Sequence, residues 1–319
     1  MTNEQRFISP VVLVVIAVLL WSTGGLFIKL TALDAYQVTF FRSLFAAVTV
    51  LLLTRKDGLK INAFGILTTI IYALLLFLFV WATKKTTAAN AIFLQYTAPI
   101  YILILAPFII GEKFHFRDLV TVVVVLAGMS LFFVGQLRLE DYQGNSAALC
   151  SGVLLGLYIM LLRHPRATGT QAALPASDEG GAAPPDIRNP QSAIRNPQSM
   201  NPVITVIYGN FLLAAVTAPT GISVLPAMTY LDWFAVAFLG IFQIGIAYIL
   251  FIKGVRAGTR PLDASLIGFI EPLLNPVWVF IFVGERPSQW ALLGGSIIVT
   301  AIAVHTFRQY SGRKRKVII

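Results

Sequence analysis

Charge is scarce in this sequence: 12% of its 319 residues are Asp, Glu, Lys or Arg. A soluble domain carries about 25%. There is one cysteine, Cys150, which excludes an internal disulfide and any multi-cysteine metal site. For Cys150 itself the expectation is a small buried helix residue. Three histidines, His115, His164 and His305, are scattered. No His-Glu-x-x-His, phosphate-binding loop or dinucleotide fingerprint occurs. Neither metal chemistry nor nucleotide hydrolysis has visible equipment, so no catalytic residue, metal or cofactor is expected and the chain does not read as an enzyme. Apolar-polar alternation of period two is absent, which argues against a transmembrane barrel.

What is abundant is hydrocarbon. Hydrophobic residues make up 57%, and mean hydropathy is +0.80. The apolar residues come in blocks of about 20, the length needed to cross a bilayer as a helix. The composition therefore predicts an all-α integral membrane protein with the lipid bilayer as its main partner. Ten spans are expected, near 10–30, 36–54, 63–83, 88–110, 117–135, 144–163, 202–219, 231–252, 262–283 and 289–307. The first block is too long for a signal h-region and reads as a retained span.

Basic residues predict the orientation. Arg55, Lys56, Lys60, Lys113, Arg117, Arg163, Arg166, Lys253, Arg256, Arg260 and the tail "GRKRK" fall on one side. Lys29, Lys84, Lys85, Arg138 and Arg286 fall on the other. This bias predicts a multi-pass protein of the inner (plasma) membrane with both termini cytoplasmic. The net charge of +10 then reflects topology and anionic lipid, and no nucleic-acid partner is expected. Residues 308–319 read as a basic cytoplasmic tail. Residues 167–200 stand apart: rich in Ala, Pro, Gly, Ser, Asn and Gln, they hold "IRNPQSA" followed by "IRNPQS". Such a stretch has too little apolar surface for a core and predicts a disordered cytoplasmic insert.

The two halves align with each other. "YTAPIYILILAPFIIGEKF" lies on "FIEPLLNPVWVFIFVGERP" without a gap, so Pro99 meets Pro272 and Gly111-Glu112 meets Gly284-Glu285. Ala46-Ala47-Val48 meets Ala214-Ala215-Val216, and "WSTGGLFIK" meets residues 155–163. Five spans are repeated, 10–135 and then 144–307. Five is odd, so the second copy enters from the opposite side. Inverted repeats predict a transporter with its site near the midplane between the halves.

The sequence also resembles the drug/metabolite transporter superfamily in its ten-helix EamA-like form. The matching pieces are "WSTGGLFIK", "FFRSLFAAVTVLLL", "TTAANAIFLQYTAPIYILILAPFIIGEKF" and "ASLIGFIEPLLNPVWVFIFVGERPSQWALLGGSIIV". The resemblance covers nearly the whole chain except 167–200. It implies export or exchange of small metabolites such as amino acids or drugs. A lipid flippase or nucleotide-sugar carrier is the alternative, but it should show a more basic interior, and Arg42 is the one plausible interior cation. A lipid-modifying membrane enzyme would need acids or histidines clustered at one face.

Candidate residues are the polar and aromatic groups inside spans. Helical spacing sets Gly268, Glu271, Asn275, Trp278 and Phe282 on one stripe. Glu271 is the candidate proton carrier or substrate contact, with packing as the competing role. Pro272 and Pro276 cannot donate to the carbonyls four residues back, so a kink is expected there, and Pro99 should act likewise in the first half. Where Glu271 stands, the first half has Ala98, and its own stripe offers Gln95. Arg42 could pair with an acid, hold a substrate carboxylate bidentately, or snorkel to the interface. Tyr72, Trp81, Tyr96, Tyr101, Tyr158, Gln243 and Tyr248 are further cavity candidates, as is Trp21 at mid-span. Glu112 and Glu285 read as ties between helix ends and loops, and Asp263 as a helix N-terminal acid.

Overall fold

A computed structural model describes residues 9–55, 59–86, 88–132, 134, 140–168, 201–283 and 288–317. Among them the regular structure is helical throughout, with no strand. The first crossing, α1 (Pro10–Ser22), starts on a proline at its first position, where a missing N–H costs nothing. It breaks at Thr23 into α2 (Gly24–Leu30). Then follow α3 (Ala35–Thr54), α4 (Ala63–Lys85), the pair α5 (Ala88–Gln95) and α6 (Ala98–Ile109), α7 (Phe116–Phe132) and α8 (Tyr142–Arg163). After the short α9 (Pro165–Thr168) come α10 (Val203–Ser223), α11 (Tyr230–Phe238), a π-helical segment Leu239–Ile246, and α12 (Ala247–Arg256). The chain ends with α13 (Pro261–Gly268), α14 (Ile270–Val283) and α15 (Gln289–Val317).

Polar caps mark where several helices begin. The Asp34 carboxylate accepts from the amides of Tyr36 and Gln37 at the start of α3. Thr229 and Asp232 form a reciprocal capping box at the start of α11. Outward faces stay apolar: Leu52, Leu53, Phe108, Val216 and Phe307 are all exposed. Large exposed apolar surface is what a lipid-facing bundle requires.

Eight helices among the described residues are long and apolar enough to cross a membrane. The ten expected spans are thus only partly matched by single long helices. The segment expected at 117–135 is helical over the 17 residues of α7, about 25 Å at 1.5 Å per residue. The segment expected at 262–283 is divided at Phe269, because Pro272 has no N–H for the Gly268 carbonyl. The Phe269 amide turns back to Leu266 O instead, at 3.1 Å. The same break occurs in the first half. There α5 stops at Gln95, four residues before Pro99, and the Thr97 amide reaches Leu94 O at 3.3 Å.

Three further expectations change. The insert does not begin at 167: Ala167 is buried and its amide bonds His164 O at 2.8 Å, closing α9. Residues 169–200 lie outside the described residues. The helix α15 continues past the expected span end into the basic tail as far as Val317. Cys150 is exposed rather than buried. In a membrane helix the lipid-facing side is as apolar as the core-facing side, so hydropathy does not tell them apart.

The main packing pairs are α3 with α10, α4 with α8, α7 with α15, and α1 with α12. α8 also packs on α5 and α6, while α1 packs on α13 and α14. The core at the centre draws on both halves: Val14, Tyr72, Tyr96, Tyr158, Tyr248, Phe251 and Phe269 belong to one buried cluster.

Candidate functional site

The two helix breaks meet. Tyr96 sits in the α5–α6 break and Glu271 in the first turn of α14. The Tyr96 hydroxyl donates to Glu271 Oε2 at 2.7 Å, and its ring packs 5.0 Å from Phe269 in the other break. Gly268 permits this approach, since a Cβ there would lie 3.3 Å from the Tyr96 ring. The prolines therefore do more than bend each helix: they bring one break from each half side by side.

Beside this pair lies an aromatic cluster with Tyr248 at its hub. The Tyr248 ring is 4.9 Å from Trp21 and 5.1 Å from Tyr72, edge to face with the latter. Tyr158 stands 5.2 Å from Tyr72, and Phe251 4.9 Å from Trp21. The rings come from α1, α4, α8 and α12. The Tyr248 hydroxyl is close enough to feel the charges of both Glu271 and Arg42. The Tyr72 hydroxyl accepts from Asn210 Nδ2 at 2.9 Å, and that of Tyr158 shares a 3.2 Å bond with Thr205.

Arg42 does not snorkel. It is 5% exposed, held between α3 and its neighbours, and among the described residues no carboxylate forms an ion pair with it. Its Nε and Nη2 find no hydrogen-bond partner among the described residues. Snorkelling needs an open route to the interface along the helix surface. Here the π-helical segment lies across the Arg42 backbone. A Cβ on Gly240 would come 2.7 Å from the Arg42 carbonyl oxygen and 2.4 Å from Phe45 Cβ. The same segment carries Gln243, whose Oε1 is buried without a partner. π turns occur often at functional sites because the widened turn re-aims side chains. Gly240→Ala should therefore lift the π segment off α3 at a cost of about 1–3 kcal/mol. A wild-type thermal unfolding curve for that variant would show the contact to be looser than described.

Other candidates fall elsewhere. Gln95 turns away from Glu271 and donates to Ser151 Oγ on α8 at 2.8 Å. Trp278 Nε1 donates to Ser22 Oγ at 3.0 Å, tying α14 to α1. Trp81 joins a separate small cluster with Ala82, Ala91, Ala147 and Ala148. Pro99 and Pro272 are buried at the breaks. The side chains of Asn275 and Pro276 lie outside the described residues, as does Glu285.

Both ends of the bundle are tied across the halves. At one end Arg260 Nη2 donates to Asp118 Oδ2 at 2.8 Å, and Arg260 Nε lies 3.5 Å from Glu112 Oε2. His305 Nε2 is 2.9 Å from Asp263 Oδ1, and its Nδ1 is 3.3 Å from Thr121 Oγ1. Burial alone would lower the Arg260 pKa, but the bond to Asp118 and the charges of Asp263, Asp118 and Glu112 outweigh it and raise it. Glu112 is thus the expected tie and Asp263 the expected first-turn acid. The cluster of acids and histidines at one face, absent from the sequence reading, is assembled by folding. Among the described residues it contains no group suited to a metal ion. At the other end Asp232 accepts from Thr31 Oγ1 at 2.6 Å, the Ala32 amide at 3.0 Å, and the Thr229 amide and hydroxyl at 2.9 and 2.7 Å. The two ties are at opposite ends because the run Tyr230–Arg256, 27 residues, spans about 40 Å. The one sequence cue for Asp232 was the Thr-x-x-Asp box at 229–232.

The family model of EamA-like transporters matches residues 8–134 and 193–307. The chain belongs to the EamA-like transporter family. Two curated relatives are similar over nearly their whole length. One, an uncharacterized transporter of Archaeoglobus fulgidus, is 21% identical over 91% of this chain and 94% of its own. The other, an uncharacterized transporter of Clostridium kluyveri, is 20% identical over 92% of this chain and 89% of its own. A solved crystal structure shares the fold with a TM-score of 0.70 at 20% identity, covering 93% of this chain and 96% of that one. This EamA-like transporter is therefore a membrane protein whose partners include the bilayer and a small-molecule substrate.

Proposed function

We propose that the chain exports or exchanges small organic metabolites by alternating access between two inverted five-helix repeats, 10–135 and 144–307. In this reading α7 and the broken pair α13–α14 are crossings too, giving ten. Both termini face the cytoplasm of a cell whose inner (plasma) membrane holds the protein, the insert, shortened to 169–200 by α9, is a cytoplasmic spacer, and 308–319 is a basic cytoplasmic tail. The packing pairs support the repeat. Exchanging the halves turns α4 with α8 into α12 with α1, and returns α3 with α10 and α7 with α15 to themselves.

The observation that carries the reading is the 2.7 Å bond from Tyr96 to Glu271. It joins the two matched helix breaks, one from each half, near the middle of the membrane. A charge there costs several kcal/mol unless water or a partner reaches it. An ionised Glu271 thus favours whichever state admits water or substrate, and a neutral one favours the closed packing. That difference is the handle by which protons or substrate bias the two states.

The test compares metabolite release from cells bearing the wild-type chain, the Glu271→Gln variant or neither, in acidic and in alkaline medium. Release specific to the wild type, with its pH response lost in Glu271→Gln, is expected. Equal rates and equal pH response in both proteins would end the proton role. No release beyond the empty cells would end the export reading.

A further inference from the structure

We infer that Arg42 holds a carboxylate of the transported solute, an assignment that rests on the transport reading above and narrows its substrate class. Arg42 is more than nine-tenths buried, and its Nε and Nη2 are without partners. A buried guanidinium with an unused planar fork is costly as it stands. The group that best satisfies it is a carboxylate, which accepts two parallel N–H bonds from one fork.

The neighbouring groups point the same way. Tyr72 already accepts a bond from Asn210, which leaves its own O–H free to donate. Trp21 Nε1, a donor only, is buried without a partner beside Tyr248. The Tyr72 and Tyr248 hydroxyls lie within electrostatic range of the Arg42 guanidinium. Donors therefore gather around the Tyr248 hub, where the Glu271 carboxylate is already bonded by Tyr96. The surrounding side chains are aromatic rings packed on one another: Trp21, Tyr72, Tyr158, Tyr248 and Phe251. Such a setting takes a small carboxylate with an apolar body. On the flank, Asn210 Oδ1, in the amide bonded to Tyr72, is a buried acceptor without a partner among the described residues. A solute bearing an N–H or O–H near its carboxylate would satisfy it as well.

The arginine is also placed with care. The π-helical segment is packed on its backbone through Gly240, while the Gln243 amide of the same segment lies against Gly24 of α2. A structural arginine would be expected to spend its fork on helix-end carbonyls or an acid, and Arg42 does neither among the described residues.

The experiment uses the full chain purified in detergent, with Trp fluorescence and thermal unfolding as readouts. The probes are propionate and phenylacetate against their neutral amides, and L-alanine against L-alaninamide, which keeps the ammonium and lacks the carboxylate. At least one carboxylate should bind about tenfold or more tightly than its amide, as a charge-assisted bidentate pair implies. Arg42→Gln should weaken that carboxylate about 30-fold or more, and Arg42→Lys by less, since lysine keeps charge but not the fork. If every carboxylate binds no better than its amide, the assignment is overturned whether or not Arg42→Gln folds. Undiminished carboxylate binding by a folded Arg42→Gln chain overturns it too. Binding is read without transport, so failure here leaves release by the wild-type chain intact. Failure of the release assay, in turn, leaves the binding comparison standing.

Discussion

Asp232→Ala is expected to destabilise the bundle by about 2–3 kcal/mol. Asp232 is 3% exposed and its carboxylate accepts four hydrogen bonds. Two come from Thr31 and Ala32, which link α2 to α3, and two from Thr229, the cap of α11. Alanine would take the acceptor from two hydroxyls and two backbone amides; the buried Thr31 hydroxyl loses the full bond, while the exposed Ala32 and Thr229 can turn to water and lose only the net value. The bonds are coupled, so their losses do not simply add. Asp232→Asn should cost less, about 1–2 kcal/mol, because one oxygen remains to accept. Thermal unfolding in detergent checks both. A melt of Asp232→Ala that superimposes on wild type would mean that this end is held by packing alone.

Asp118→Ala is the second large effect, and it acts on conformation as well as stability. Its carboxylate takes the 2.8 Å bond from Arg260, with His305 at 4.0 Å. Asp118 belongs to α7 and Arg260 precedes α13, so the bond crosses between the halves. In an alternating-access cycle such a bond must break whenever that end opens. Loss of a charged hydrogen bond is worth about 2 kcal/mol, which shifts a two-state equilibrium about 30-fold. The shift favours opening at the Arg260 end. A thiol reporter can read it: Leu262→Cys in a Cys150→Ala background places a buried thiol beside this tie. Its labelling should speed up about 30-fold when Asp118→Ala is added. Unchanged labelling would remove the tie from any gating role.

Much of the architecture can be read from the sequence because a bilayer leaves few choices. Apolar blocks must become helices, and Pro99 and Pro272 must interrupt theirs. Their positions gave the breaks, and the breaks located Tyr96 and Glu271. What could not be read was direction around each helix. The sequence leaves Arg42 free to reach the interface, yet α3 turns it inward beneath the π-helical segment. Gln95 and Glu271 occupied equivalent stripes, yet Gln95 found Ser151 first. Cys150 faces outward for the same reason that Arg42 faces in: a membrane helix is apolar on both sides, so hydropathy carries no phase. The end ties were hidden by distance along the chain. Asp118, Arg260, Asp263 and His305 are unremarkable singly, and Thr31 lies 201 residues from Asp232.

The π-helical segment Leu239–Ile246 also fixes an angle. It sits between Asp232, which must reach Thr31, and Tyr248, which must reach Trp21. Straightening that stretch to an ordinary α-helix without removing a residue would rotate one flank against the other by about 100°, the step of the residue the widened turn absorbs. Either the outer anchor or the aromatic hub would then face the wrong way. Substitutions within 239–246 can be absorbed by local repacking, but loss of the widened turn at this length cannot. The segment therefore works as a rotational spacer, and among homologous chains the widened turn and the extra residue should be gained or lost together.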